Sequence, residues 1–188
     1  EAFYDQISAL HKSVRGSSPD AALYWLARML EGGEDIKFIA RRLVILASED
    51  IGLANPNALL MATNCFQAVH MIGMPEARII LSETIIYLAT SPKSNSAYEA
   101  INEAMDLVRE TGNLSVPLHL RNAPTSLMKD LGYGKGYRYA HDESGGVADM
   151  RCLPDELDGV TFYRPTERGW EGRIRQRLKE IAETRKRR

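Results

Sequence analysis

Residues 7–56 read ISALHKSVRGSSPDAALYWLARMLEGGEDIKFIARRLVILASEDIGLANP, and their punctuation sorts them into three short helices. Phe3, Ile7, Leu10 and Val14 recur at helical spacing and give the first. Arg15-Gly16-Ser17-Ser18 breaks it, and Ser18-Pro19-Asp20 restarts the chain with a capping hydroxyl, a proline at the first helical position and an acid in the first turn. The second helix carries Ala22, Leu23, Leu26, Met29 and Leu30 and stops at Gly32-Gly33, as a left-handed cap requires. Ile36, Ile39, Ala40, Leu43, Leu46 and Ala47 stripe the third, which stops near Gly52. None of the three presents a group that looks like a catalyst. Their surplus of apolar residues and arginine points to packing, within the chain or against another copy.

The same grammar continues outward. Asn55-Pro56 repeats the cap-plus-proline signal and opens a fourth helix through Leu59, Leu60, Thr63, Phe66 and Val69 to Gly73. Pro75 opens a fifth, with Ile80, Leu81, Thr84, Ile85 and Leu88 on its stripe, interrupted at Ser91-Pro92 and Ser94-Asn95. A sixth runs over Tyr98, Ile101, Met105 and Val108 to Gly112. Short Gly/Pro-punctuated joints without a convincing strand predict an all-α multi-helix array with antiparallel neighbours. After Gly112 the texture changes to Pro, Gly and aromatics, with one short helix about Pro124–Leu131 and a short strand pair expected around Thr161–Tyr163. A last helix over 170–184 places Trp170, Ile174, Leu178 and Ile181 on one stripe, flanked by Arg173, Arg175, Arg177 and Lys179, and ends in Arg185-Lys186-Arg187-Arg188. The expected division is a helical domain over 1–112 and a tail over 113–188 packed on it.

At 188 residues the chain holds one good-sized domain, or one with an appendage, and its 44% hydrophobic and 26% charged residues belong to a soluble globular protein. A net charge of -1 gives no overall pull toward nucleic acid or membrane. Cys65 and Cys152 are isolated, which argues against a disulfide scaffold and for a reducing, intracellular compartment. No apolar run approaches the roughly 20 residues of a membrane span. The first residues, EAFYDQISALHK, lack a signal-peptide layout and begin with Glu, so a fragment of a longer protein is expected.

The chemical motifs are mostly missing. Gly132-Tyr-Gly-Lys-Gly136 is a near miss to a phosphate-binding loop, but Lys135 is followed by Gly and no strand precedes it; a tightly turned loop is the simpler reading. His11, His70, His119 and His141 have no partner at metal-ligand spacing. His11 and His70 read as packed or surface residues. His119 and His141 fall with Arg121, Asn122, Lys135 and Arg138, a cluster that either holds the irregular tail together or binds a phosphate or an acidic partner. Glu49 and Asp50 are adjacent acids, but adjacent helical residues diverge, so an ion pair of Glu49 with Arg42, two turns back, or a contact to a neighbouring subunit is expected. Trp25 beside Tyr24 reads as core or interface. Trp25, Leu26, Arg41, Arg42 and Glu49 are thus the candidate self-contact residues. Arg121, Lys135, Arg138, Arg185, Lys186, Arg187 and Arg188 are the candidate contacts to DNA or a protein partner.

The run SALHKSVRGSSPDAALYWLARMLEGGED with ARRL and ASEDIGLANP, then SPKSNSAYEAINEAM, VPLHLRNAPTSLMKDLGYGKGYRYAHD and LPDELDGVTFYRPTERGWE, covers nearly the whole chain in order. It resembles the C-terminal region of the replication-associated recombination protein A (RarA/MgsA) family, bacterial relatives of the Werner helicase-interacting protein and AAA+ ATPases related to clamp loaders. The resemblance implies that the ATPase machinery lies N-terminal to these residues. Neither phosphate-binding loop, acidic metal motif nor arginine finger has a counterpart here, so no catalytic residue carries over and this fragment needs no cofactor. ATP and Mg would belong to the preceding domain. It further implies a clamp-loader-like helical collar, a homotetramer, a DNA-stimulated ATPase at stalled forks with single-strand-binding protein as partner, no membrane association, and a cytoplasmic, nucleoid-associated place. The resemblance defines no role for LHLRNAPT and GYGKGYRYAHD.

Overall fold

The computed structural model describes residues 2–187, and these contain eight α-helices and no strand. Helices α1 (Ala2–Arg15), α2 (Pro19–Glu31), α3 (Ile36–Leu46), α4 (Asn57–Ile72) and α5 (Ala77–Thr90) form the main array, and α6 (Ser96–Thr111), α7 (Ser126–Asp130) and α8 (Glu171–Lys186) follow. Helix α5 touches α1, α2, α3 and α4 and is therefore the centre around which the others pack. Its buried Leu81, Ile85 and Leu88 meet Leu10 and Val14 of α1, Leu26 and Met29 of α2, and Ile39, Leu43 and Leu46 of α3 in one apolar cluster. Each of these positions recurs three or four residues after the last, so the stripe that predicts the helix is also the face that it buries.

The ends of the helices follow the sequence signals in part. Gly33 adopts φ +76, and the Glu34 amide returns to the Met29 carbonyl at 3.1 Å while Gly33 bonds Leu30, closing α2 with a left-handed cap. Asp35 caps α3 by accepting from the Lys37 amide at 2.9 Å. Ser18, expected to cap α2 through its hydroxyl, makes no side-chain cap bond; Pro19 and the first-turn Asp20 mark that start. Asn55 does not cap α4 either. Its amide donates to the Tyr87 hydroxyl at 3.0 Å and to Ser91 Oγ at 3.1 Å, tethering the α3–α4 connection to the end of α5. The strand pair expected at Thr161–Tyr163 does not form: this segment is irregular, and its Tyr163 side chain is committed to a buried carboxylate instead.

The chain divides into two compact units, Glu1–Ala100 with Tyr163–Ile174, and Ile101–Phe162 with Arg175–Arg188. In the first, Glu171 is fully buried. It accepts from Ser96 Oγ, from Tyr163 Oη at 2.8 Å and from both the hydroxyl and the amide of Thr166, at 2.7 and 3.2 Å. Burial alone would raise its pKa, but the hydroxyls of Ser94, Ser96, Thr166 and Tyr163 outweigh it and hold the carboxyl down to about 2. Burial and the same carboxylate push the Tyr163 phenol well above its ordinary value. Around this latch the Trp170 amide donates to the Ala54 carbonyl at 2.8 Å and Arg168 Nε to the Lys93 carbonyl at 2.6 Å. Gly169, at φ +57, lies so close to the Ala54 carbonyl and Pro92 that a methyl group there would overlap both. Gly169→Ala is therefore expected to cost about 2–4 kcal/mol through strain and overlap together. Urea unfolding would show it as a lowered midpoint at unchanged slope.

The second unit is built from turns. Thr125 caps α7 by accepting from the Met128 amide at 3.2 Å, and Gly132, Gly134 and Gly136 all take positive φ. Gly134 donates to the Leu118 carbonyl at 2.7 Å, so the GYGKGY run is a tight turn laid against LHLR, with no strand before it. No helix of the described residues is long and apolar enough to cross a membrane.

Candidate self-association surface

Helix α6 alternates acids with apolar residues: Glu99, Glu103, Asp106 and Glu110 against Tyr98, Ile101, Met105 and Val108. The apolar four are spaced three, four and three apart, the interval of a coiled-coil seam, so they share one side of the helix. That side is open. Tyr98, Ile101, Met105 and Val108 are 42, 56, 47 and 59% exposed, and Ser96 is the helix's one buried residue. Ile101, Ala104, Met105, Val108 and Arg109 line a shallow apolar groove of about 280 Å³. Small alanines stand at 97 and 104 on the same helix. Arg109 is held by Asp106 at 3.0 Å, which leaves the flanks acidic. Helix α8 has the opposite net charge, with Arg173, Arg175, Arg177, Lys179, Arg185 and Lys186 against Glu171, Glu180 and Glu183, and a half-exposed Leu178.

The self-contact residues expected from sequence lie elsewhere, on α2, α3 and the turn after it. Leu26 is in the core at 2% exposure. Trp25 is half-buried against that core, edge-on to Tyr24 at 5.0 Å, with the Arg28 guanidinium 5.6 Å from its ring. Arg41 is exposed and stacks over Phe66 at 6.0 Å. Arg42 and Glu49 line one cleft, but the expected ion pair is not what holds them: Glu49 reaches toward His11, at 3.8 Å, and Arg42 Nε is buried without an acceptor.

The reason is local. Helix α3 ends in a turn of π-helix, Ala47–Ile51, which changes the angular step between residues and sends Glu49 and Asp50 toward the same neighbour. Asp50 is buried, takes a hydrogen bond from Arg15 Nε at 2.9 Å, and shares one with His11 Nε2 at 3.0 Å. His11, read as packed or superficial, is thus packed with a specific partner. His11, Glu49 and Asp50 bring ligand atoms within 4.8 Å of one another. Arg15 already occupies one oxygen of Asp50, and Lys12 and Arg42 border the same cleft, so the surroundings oppose a dication.

The candidate partner-binding residues are placed as follows. Arg121 is used internally: Nε donates to the Val116 carbonyl at 2.9 Å, Nη1 to the Tyr133 hydroxyl at 3.0 Å, and the guanidinium lies over the Tyr133 ring. His119 bonds the Arg151 carbonyl. Arg138 pairs with Glu143, which raises its pKa further. Lys135 is exposed. Arg185 Nε donates to the Ala148 carbonyl at 3.3 Å, Arg187 lies 4.0 Å from Glu183, Lys186 is exposed, and Arg188 falls outside the described residues. Sequence reasoning found the α6 stripe without naming what covers it. It missed the Glu171 latch, for which the only signal was an acid at a helix start.

The chain matches the family model described as MgsA AAA+ ATPase C terminal over residues 16–182. Replication-associated recombination protein A of Coxiella burnetii is 54% identical over 179 residues, 95% of this chain and 41% of that protein. The protein of the same name from Escherichia coli K12 is 48% identical over 184 residues, 97% of this chain and 41% of its own. ATPase WRNIP1 of Dictyostelium discoideum is 46% identical over 165 residues, 87% of this chain and 19% of that protein. The chain spans about two fifths of the length of the bacterial relatives named here.

Proposed function

The chain belongs to the MgsA AAA+ ATPase C-terminal family, and from that premise we propose that it is the self-association module of a AAA+ ATPase of replication and recombination. Its helical array acts as a collar, as in clamp loaders, and gathers four copies so that the ATPase regions preceding it are held at fixed spacing. ATP and Mg serve those preceding regions, and DNA and single-strand-binding protein are engaged by the whole protein at the nucleoid. The observation that carries this reading is the open apolar seam of α6. A helix that exposes four large apolar side chains in coiled-coil register, between acidic flanks, is built to be covered. Acidic α6 and basic α8 give two copies complementary charge at the rim, which sets orientation more than affinity.

Sedimentation of the chain and of Trp25→Ala at tens of micromolar tests the choice of face. With α6 as the seam, Trp25→Ala keeps the oligomeric mass and loses stability only. Dissociation of that variant would move the seam to the Trp25–Arg41 face. The chain alone is expected to hydrolyse no ATP, and hydrolysis above background would overturn the reading.

A second reading is favoured by one observation in the tail. Tyr137 and Tyr139 are 51 and 54% exposed and follow the exposed Lys135, a pattern suited to stacking bases beside a cation. It calls for salt-sensitive binding of single-stranded DNA, weakened several-fold when Arg185, Lys186, Arg187 and Arg188 are made neutral. Binding untouched by that change would remove the basic helix from the contact.

A further inference from the structure

Residues 118–125 and the glycine turn laid against them enclose a pocket of about 340 Å³, with room for one base and its sugar. Its frame is fixed from within. Arg121 donates to the Val116 carbonyl and the Tyr133 hydroxyl, and His119 is held by the Arg151 carbonyl. Gly134 lies so near the Arg121 carbonyl that an added methyl group would press on it at 3.3 Å. Other groups of the lining stay open to a ligand. Tyr137 is 51% exposed, and with Leu120 and Ala123 it makes part of the pocket aromatic and apolar. Asn122 is exposed, and its carboxamide has no hydrogen-bond partner among the described residues. The partners of Arg121 are all neutral, and Lys135, on the turn, is exposed with no acidic partner among the described residues. Two positive charges therefore stand uncompensated around the site.

A carboxamide is donor and acceptor at once. A phosphate or carboxylate would use only its N–H groups and set its carbonyl against a further acceptor, whereas the edge of a nucleobase offers a donor and an acceptor side by side. We propose that this pocket reads one base of a single strand, with Asn122 hydrogen-bonded to the edge of the base and the Tyr137 ring stacked on its face. Adenine is the base that suits the site. Its amino group lies between N1 and N7, so it presents the pair that a carboxamide matches on two edges, and its double ring covers more of a tyrosine than a pyrimidine does. Arg121 and Lys135 supply positive charge for the flanking phosphates. The inference rests on the reading in which the tail engages a single strand, and it goes beyond that reading. Stacking on Tyr137 and Tyr139 alone accepts any sequence; Asn122 makes the site selective.

The test follows the fluorescence anisotropy of short labelled strands mixed with the whole chain at low salt. The strands are all dT except at the central position, which is dA, dG, dC or dT. The wild-type chain is expected to bind the dA strand roughly threefold tighter, or more, than any of the others. Asn122→Ala should bring the dA strand to the affinity of the dT strand and leave the dT strand unchanged. Its side chain is exposed and bonds no other described residue, so the variant keeps its fold. Tyr137→Leu should weaken every strand roughly tenfold, because each base that enters the pocket loses its stacking surface. Strands that bind alike whatever their central base, a preference for a base other than adenine, or a dA preference that survives Asn122→Ala would each overturn the inference while leaving single-strand binding by the tail in place. Tyr137→Leu binding every strand as the wild type does would overturn it too. If no strand binds the wild-type chain, the inference and the reading beneath it fall together.

Discussion

Changing Ile101 and Met105 together to Glu is expected to leave the chain folded and monomeric. Both side chains are about half exposed in the single chain, so their loss removes little from its own core, and its unfolding free energy should change by no more than about 0.5 kcal/mol. In an assembly sealed along α6 the same two positions are central. Each large apolar side chain contributes about 1.5–3 kcal/mol when buried, and a carboxylate placed in an apolar seam among Glu99, Glu103 and Asp106 adds repulsion that nothing nearby offsets. A total of about 4 kcal/mol per contact corresponds to roughly a thousandfold in dissociation constant. The separation of the two effects is the informative part: circular dichroism unchanged, mass reduced to one chain. A variant that stays assembled removes α6 from the seam.

Glu171→Ala should be the most destabilising single change outside the apolar core, by about 3–5 kcal/mol. It leaves the hydroxyls of Ser96, Tyr163 and Thr166 without their shared acceptor in a site from which water is excluded. The same carboxylate gives the stability a pH dependence of known sign. Its folded pKa, about 2, lies below the ordinary glutamate value of 4.5, so the unfolded chain takes up the proton first. The contribution is complete above about pH 5, declines as pH falls through 4.5 toward 2, and amounts to about 3 kcal/mol in all. Urea titrations at pH 7 and pH 3 should therefore differ for the wild-type chain, and the part of the difference due to this group should vanish in Glu171→Gln. An equal pH response in the two proteins would show that the latch carboxylate does not titrate as described.

Much of the fold can be read from residues alone because its helices are local objects. The stripes of α1, α2, α3 and α5 and the glycine stop at Gly33 depend on spacing within a few residues, and the structure keeps them; the α4 stripe is displaced, with Ala58, Ala62, Cys65 and Val69 buried while Leu59 and Leu60 stay exposed. What escaped the sequence was non-local or geometrically exceptional. Glu171 meets Ser96 across 75 positions, and no periodicity announces such a bond. The turn-rich TFYRPTERG segment suggested a strand pair because Thr, Phe and Tyr favour extended backbone, but its hydroxyls serve the buried carboxylate. Glu49 and Asp50 were set apart on the assumption of a regular helix, and a single π-turn brings both to His11. The α6 stripe shows the deepest ambiguity. An apolar face at helical spacing looks the same in sequence whether its own chain or a second copy covers it, and the exposure of Ile101 and Val108 shows only that the described residues of this chain leave it open. Likewise Arg121 and Arg138 looked free for a partner, yet Val116, Tyr133 and Glu143 occupy them.

The central claim is that this chain associates with itself. Light scattering of the wild-type protein from one to a hundred micromolar measures that directly. The expected result is a mass that rises with concentration to a plateau near four chains, retained at moderate salt because the seam is apolar. A mass of a single chain across the whole range would contradict it.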